Sequence, residues 1–381
     1  MKRTLSGFAI ALLLASCSSP APGHAYDQGL AAYDVGEYEQ ALKHYDRALK
    51  LDPSFYPALV RRGDALVDLG EAEAALTAYD QALAIDLDNL DALRGRAYAL
   101  FELGRYDEAL ANYDQAIAIA PDAPLVWLGK GDVHTRLRQY DAAIAAYDKA
   151  LANADAQTWP EAWIAWNNRG DALFYARRYD AALESIDKAL ALEPEMADPW
   201  FIRGNILAAL NRPDEALSAY DEALKRMPEF FAAQSAKGNT LLKANQPEAA
   251  IAQYDLALET EPDYPYAWQG KGNALSQLQR YDEAIAAYDQ ALKTIPEGDR
   301  HSLFNSRGNA NMALGNGDRA LKDYQQAVKA KPDFAEGWFN QGNVLVLMGR
   351  EEDAIEAYAE ALRLRPDYAE ARDRRDRLGQ K

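Results

Sequence analysis

Tyr106-Asp107-Glu108-Ala109-Leu110, then Tyr113-Asp114-Gln115-Ala116-Ile117, then Pro121: the reading of the fold turns on this stretch. It returns as Tyr281-Asp282-Glu283-Ala284-Ile285, Tyr288-Asp289-Gln290-Ala291-Leu292 and Pro296. Related text recurs about every 34 residues along most of the 381-residue chain. A period in that range marks a solenoid, in which each supersecondary unit is too small to bury its apolar face alone.

One register aligns ten units. With each unit numbered from 1 to 34, position 8 is Gly29, Gly63, Ala97, Gly131, Gly170, Gly204, Gly238, Gly272, Gly308 and Gly342. Position 24 is tyrosine from Tyr45 to Tyr358, except for Ile186 in the fifth unit, and position 27 is alanine throughout. Two steps exceed 34: Gly131 to Gly170 is 39, with an insertion near Gln157 to Ala162, and Gly272 to Gly308 is 36, with one near Glu297 to Arg300. The small residue at position 8 lets two helices approach closely, and alanine at positions 20 and 27 does the same while favouring helix. Tyrosine at 24 and tryptophan at 4 supply the bulk between them. Proline at 32 stops the second helix. The pattern therefore predicts helix A over about positions 2 to 14 and helix B over about positions 18 to 30.

The Trp-x-x-x-Gly, Ala-x-x-x-Tyr-x-x-Ala and Pro positions resemble the tetratricopeptide repeat (TPR) family, over roughly residues 22 to 366. Departures are local: Ala97 for Gly, Leu87 and Asp155 for Pro, Gln234 for Trp. The resemblance implies an all-α, right-handed superhelical solenoid of about ten helix pairs, residues 25–366, followed by a polar capping helix over 367–381. A solenoid needs such a cap over its last apolar face.

The N-terminus reads differently. Met1-Lys2-Arg3 precedes an apolar run from about Phe8 to Ala15 and then Ser16-Cys17-Ser18. The run is too short to span a bilayer and has the form of a secretory signal peptide over residues 1–16. Leu14-Ala15-Ser16-Cys17 is similar to a bacterial lipobox, which implies lipid on Cys17, the only cysteine in the chain. Residues 17–24 then form a Pro- and Ser-bearing tether. The location implied is the bacterial cell envelope, lipid-anchored, on its periplasmic or extracellular face.

The formal charge is −18, and removal of Lys2 and Arg3 with the signal makes it −20. That balance opposes binding to nucleic acid. The position-25 aspartates (Asp46, Asp80, Asp114, Asp148, Asp187, Asp221, Asp255, Asp289) account for many of the acids and read as solvated. His24, His44, His134 and His301 are scattered, and no His-x-x-x-His or Cys-x-x-Cys spacing or Gly-rich phosphate loop occurs. The expectation is no metal, no cofactor and no catalytic residue. Arg62-Gly63-Asp64 and Arg169-Gly170-Asp171 spell an adhesion tripeptide, but each falls at positions 7 to 9, where a basic residue is part of the repeat grammar.

In arrays of this family helix A lines the concave surface, with positions 2, 5, 9 and 12 facing it. Position 9 runs Asp64, Tyr98, Asp132, Asp171 and then Asn205, Asn239, Asn273, Asn309 and Asn343. Five asparagines in successive units form a ladder of amides able to hold the backbone of an extended peptide. Phe201, Tyr266 and Phe339 add apolar contacts at neighbouring positions. The family's clamp for a C-terminal carboxylate needs basic residues at positions such as 2, 5 and 6, and positions 2 and 5 of the Asn-bearing units lack them. The acidic first half and neutral second half give a ligand with a basic end a preferred direction. The reading is a membrane-tethered scaffold that captures a protein or an extended peptide along this groove. Its rivals are an assembly factor docking a folded complex by its convex face, and an accessory subunit of a cell-envelope enzyme.

Stable anchoring by acyl chains requires more than one, at roughly 0.8 kcal/mol per buried methylene. Cys17→Ala is therefore expected to release the folded protein from membranes or to leave it uncleaved by its signal peptidase. Fractionation with blotting checks this. A mutant that is processed and sediments like the wild type removes the anchor.

Overall fold

The structure, a computed structural model, describes residues 21–152 and 159–379. Cys17 and the leader lie outside the described residues. Within those residues every regular element is helical, as an all-α chain requires. The chain divides into two compact units, Met1–Ala176 and Arg177–Lys381.

The first unit holds the first four helix pairs and the A helix of the fifth, Ala162–Tyr175. The second repeat is typical, with Tyr56–Asp68 as helix A and Ala72–Ile85 as helix B. The second unit opens on helix Tyr179–Leu192 and continues with five pairs, the last being Ala335–Leu347 and Glu351–Leu364. It ends on helix Ala369–Gly379, packed against Glu351–Leu364.

Helix A begins one residue earlier than the sequence pattern suggests, at position 1, and usually ends at position 13. Two backbone constraints set its limits. Proline at position 1, as in Pro124 and Pro265, is preorganised for a first helical turn. Position 15 then turns left-handed in all ten repeats, as at Gly70 (φ +77°) and Gln279 (φ 60°), and no α-helix continues through that conformation. Helix B spans positions 17 to 30 in most repeats. It stops because position 31 precedes a proline and must be extended, as Asp52 is before Pro53 (φ −144°, ψ 98°). The two additional residues of the longer eighth repeat are absorbed by a single 3-10 turn, Glu297–Asp299.

Packing centres on the position-24 tyrosine. Tyr254 is fully buried, with its ring seated on Gly238 of its own repeat and Gly270 of the next. A Cβ at Gly238 would come within 2.7 Å of that ring, and one at Gly270 within 2.4 Å. The same contact recurs from Gly29 with Tyr45 to Gly342 with Tyr358. Each ring thus fills the angle between its own A helix and the next repeat's A helix. A helices of successive repeats also touch one another within each unit, whereas no B–B pair makes contact of comparable extent, so the stack is tighter on its A side.

Two further devices fix repeat on repeat. The indole N–H at position 4 donates to the carbonyl of the preceding repeat's proline: Trp127 to Pro121 at 2.7 Å and Trp268 to Pro262 at 2.8 Å. Gln234, the departure from tryptophan, keeps this bond, its Nε2 reaching the Pro228 carbonyl at 2.9 Å. The position-25 aspartates, taken from sequence as merely solvated, are engaged. Each pairs with the basic residue at position 7 of the next repeat, as in Arg62–Asp46 (2.9 Å), Arg96–Asp80 (2.7 Å), Arg203–Asp187 (3.1 Å) and Lys271–Asp255 (2.6 Å). Exposed pairs of this kind contribute only about 0.2–1 kcal/mol each. Their geometry sets register more than stability. Where position 25 is Gln325, position 7 of the next repeat is Gln341, so both charges are lost together. The seam also holds Arg62 and Arg169, the arginines of the two adhesion-like tripeptides, on Asp46 and Asp148.

Gly272→Ala places a methyl group within 2.5 Å of the Tyr288 ring. The expected cost is about 1–3 kcal/mol of stability, because the ring is confined on both faces. Gly298→Ala meets nothing within 4 Å and is expected to stay within about 0.5 kcal/mol of wild type. Denaturant unfolding of both variants checks the pair, and equal effects would contradict it.

Candidate functional site

The A-helix face of the second unit carries the five asparagines, and the buried tyrosines fix their orientation. The hydroxyl of Tyr220 donates to Asn205 Oδ1 at 2.9 Å, Tyr254 to Asn239 at 2.8 Å, Tyr288 to Asn273 at 2.9 Å, Tyr324 to Asn309 at 2.8 Å and Tyr358 to Asn343 at 2.9 Å. Position 24 reaches back to position 9 of its own repeat in every case. This bond takes one of the two acceptor sites of the amide carbonyl, and Asn309 Oδ1 accepts a second bond, from Asn340 Nδ2 at 3.5 Å. The Nδ2 donors lie at the other end of the amide from the bonded oxygen, and among the described residues they have no hydrogen-bond partner. Asn239, Asn273 and Asn309 are exposed, and Asn205 and Asn343 are half-buried. The sequence pattern suggests amides offering both a donor and an acceptor. The folded arrangement commits one carbonyl lone pair to the tyrosine and leaves the amide N–H donors unpaired.

The aromatic residues fall into different settings. Tyr266 is exposed and its hydroxyl donates to Asp299 at 2.8 Å, a bond that raises the phenol's pKa. Phe201 is half-buried, with its ring centroid 4.9 Å from that of Phe230. Phe339 is only 7% exposed. Tyr368 and Tyr358 lie against its ring, at 4.8 Å and 5.9 Å between centroids, and the Arg374 guanidinium of the last helix sits over it. The structure therefore brings Tyr266 and the asparagines to the open face, while Phe339 packs beneath the C-terminal helix.

The first unit follows the same grammar with carboxylates. Tyr79 donates to Asp64 at 2.7 Å and Tyr147 to Asp132 at 2.8 Å. Asp64 also pairs with Arg61 at 3.0 Å, and Asp132 accepts from Asn168 Nδ2 at 3.0 Å. Burial nevertheless pushes both carboxyl groups above the usual range. The exceptions obey the rule. In the first repeat position 9 is Leu30, which cannot accept, and the buried Tyr45 hydroxyl has no partner. In the fifth repeat position 24 is Ile186, which cannot donate. Asp171, at position 9 of that repeat, accepts no hydrogen bond from the described residues. Burial alone pushes its carboxyl up to about 6. The signal that could have revealed this was in the sequence, as a tyrosine fifteen residues after nearly every position-9 Asn or Asp.

Asp132 and Asp171 line a cleft of about 330 Å³ in the first unit, with Tyr98, Phe101, Thr135, Arg136, Tyr147 and Asn168. Among the described residues no group of three or more His, Cys, Asp or Glu side chains is placed to hold a metal ion. No described helix is long and apolar enough to cross a membrane.

A family profile described as the tetratricopeptide repeat matches this sequence over residues 26–92, 60–124, 94–158, 128–184, 168–229, 235–299 and 305–369. No curated protein matches it. Among solved structures, the chain is similar to one from the Cut9–Hcn1 hetero-tetramer of the APC/C. That match has 17% identity and a TM-score of 0.55, over 94% of this chain and 76% of the other. It is also similar to a tetratricopeptide repeat protein from Parabacteroides merdae, at 16% identity and a TM-score of 0.51, over 67% of this chain and 98% of the other. At these identities the likeness is one of fold.

The pH dependence of stability follows from Asp171. Its folded pKa, about 6, lies above the ordinary 3.8, so between these values the folded protein holds a proton that the unfolded chain has released. Stability therefore falls as pH rises through that window, and above it the full cost of an ionised carboxylate is present. Asp171→Asn is expected to stabilise the protein by about 1–3 kcal/mol at pH 7 and by almost nothing at pH 4. Denaturant melts at both values check this. Equal gains at the two pH values would contradict it.

Proposed function

Because the chain belongs to the tetratricopeptide repeat family, whose members mediate protein–protein interactions as typically non-catalytic scaffolds, we propose that it is a membrane-anchored scaffold that captures an extended peptide segment of a partner protein. The capturing surface is the A-helix face of the second unit. Lipid on Cys17 holds the protein at the bacterial cell envelope, on its periplasmic or extracellular side.

One observation carries the reading of the groove: in five successive repeats the tyrosine hydroxyl binds the asparagine Oδ1, which leaves the amide NH₂ free of that bond. A row of fixed donors with no internal partner matches the carbonyl oxygens of an extended chain. Backbone carbonyls are common to all peptides, so the row supplies affinity and register with little demand on sequence. Each net hydrogen bond contributes about 1 kcal/mol, so several rungs must act together. The tyrosine bonds hold the amides in place before binding, which lowers the ordering cost of association. Tyr266 and Phe201 stand beside the row as contacts for side chains.

The test exploits what the first unit does naturally. Asp64 and Asp132 show that aspartate at position 9 keeps the tyrosine bond. Asn239→Asp, Asn273→Asp and Asn309→Asp together thus preserve the internal acceptor while replacing the outward donors with carboxylate oxygens. Affinity for a peptide selected on the wild-type protein from a random library is expected to fall by at least roughly tenfold, since 1.4 kcal/mol is one decade. Helicity should be retained. Unchanged affinity in a folded triple variant would overturn the donor row.

A further inference from the structure

The cleft in the first unit has features that the peptide row does not explain. Its wall is aromatic: Tyr98 is 44% exposed and stacks on Phe101, with 6.2 Å between centroids and 22° between planes. A second stacked pair, Tyr140 and Tyr175, lies at 5.5 Å in the same unit. Tyr175 is exposed, and the Asp171 charge is the main cause of its raised phenol pKa, which places this ring in the field of the carboxylate. Arg136 already sets its guanidinium over the Phe101 ring at 5.6 Å, so the wall accepts a cation on its face.

The floor holds two carboxylates in unequal states. Asp132 accepts two hydrogen bonds at Oδ1, from Tyr147 and Asn168. Asp171 accepts none from the described residues, and burial alone raises its carboxyl; the repeat register, read in sequence, offers it no side-chain donor either. The two donors to Asp132 come from position 24 of its own repeat and position 6 of the next. For Asp171 those positions are Ile186 and Ile202, which carry no hydrogen-bond donor. An ionised carboxylate kept in a half-buried cleft without a donor costs stability, and it is satisfied by a cation that brings its own donors.

The other charges around the cleft decide the sign of the ligand. Glu102 and Asp68 act on Tyr98 together with Asp132, and Arg138 opposes Asp171 at Tyr175. Arg136 is spent on Phe101. The acids outnumber the bases, and an anionic or neutral occupant would leave Asp171 uncompensated.

We propose that this cleft is a recognition pocket for a lysine or arginine side chain of a partner protein segment, with Asp171 as the ion-pair partner and the Tyr98–Phe101 stack as the wall over its alkyl stem and charged head. The proposal rests on the peptide-capture reading and adds to it a specificity element. The amide row of the second unit is indifferent to sequence, whereas the cleft of the first unit selects a segment with a basic residue. It assigns the family's groove a polarity opposite to that of a clamp for carboxylates.

The experiment is a peptide selection on the full-length protein with a random library, repeated on Asp171→Asn and on the triple aspartate variant of Asn239, Asn273 and Asn309. Expected is enrichment of lysine or arginine at one position with wild type, lost with Asp171→Asn. A chosen peptide should bind Asp171→Asn at least roughly tenfold more weakly, a decade being the effect of one paired charge. Loss of folding cannot mimic this, because the substitution removes an unpaired buried charge, and a thermal melt verifies it. Tyr98→Ala should weaken the same peptide, and replacing its basic residue with norleucine should abolish the difference between wild type and Asp171→Asn. Binders without a basic preference, or a preference that survives Asp171→Asn, would overturn the pocket while leaving the amide row standing. Basic-selective binders indifferent to the triple variant would uphold the pocket and remove the row. The absence of any binder would overturn both.

Discussion

The position-24 tyrosine is the interaction on which the other features depend. Its ring occupies the space that glycine leaves at position 8 of its own repeat, and it reaches across to the next A helix, as Tyr254 does between Gly238 and Gly270. Apolar burial of this size, repeated along the chain, is the main source of cohesion in an array whose units touch only their neighbours. The hydroxyl is the cost of using tyrosine. A buried O–H without a partner is unfavourable, so an acceptor must stand within reach. Position 9 supplies it, as asparagine or aspartate, and packing thereby dictates the chemistry of the exposed face. Core and surface are linked through a single such bond in seven of the ten repeats.

That linkage gives the two units different surfaces from one scaffold. Asparagine at position 9 satisfies the tyrosine with its carbonyl and turns its NH₂ outward, so the second unit presents donors. Aspartate satisfies the same tyrosine and leaves a carboxylate oxygen, so the first unit presents acceptors and negative charge. Changing asparagine to aspartate at position 9 alters the exposed chemistry while keeping the tyrosine bond beneath. In the fifth repeat position 24 is Ile186, which has no hydroxyl, and Asp171 accepts no hydrogen bond from the described residues. The seam of Asp and Arg or Lys pairs on the other side of the repeat carries no such freedom. It fixes where one repeat sits on the next, and position 7 is basic for that purpose.

Much of this architecture was legible in the sequence, and what was not depends on distances between repeats. Glycine at 8, alanine at 20 and 27 and proline at 32 act within one helix or one turn, so their spacing alone gave the helix pairs. The Asp–basic seam joins positions 25 and 7 of adjacent repeats, and sequence showed each partner separately as an ordinary exposed charge. Asn239 looked free to use both ends of its amide because nothing in the linear text says that Tyr254 folds back onto it. Phe339 sits at a position that faces the groove in other repeats, yet it is covered here, because the last helix brings Tyr368 and Arg374 over it. Helix A started a residue early because a first-turn proline belongs inside the helix it opens.

The central claim is that partners are captured on the A-helix face, where the tyrosines aim the position-9 side chains. A photo-activatable phenylalanine analogue at Tyr266, exposed and seven residues before Asn273 on the same helix, samples that face. The same analogue at Ala286, exposed on helix Tyr281–Thr294, samples the opposite one. Irradiation of cells expressing each full-length variant, followed by identification of the adducts, compares the two faces directly. The account predicts discrete partner adducts from position 266, competed by a selected groove peptide, and none from position 286. Adducts from position 286 alone would contradict it and assign recognition to the B-helix face.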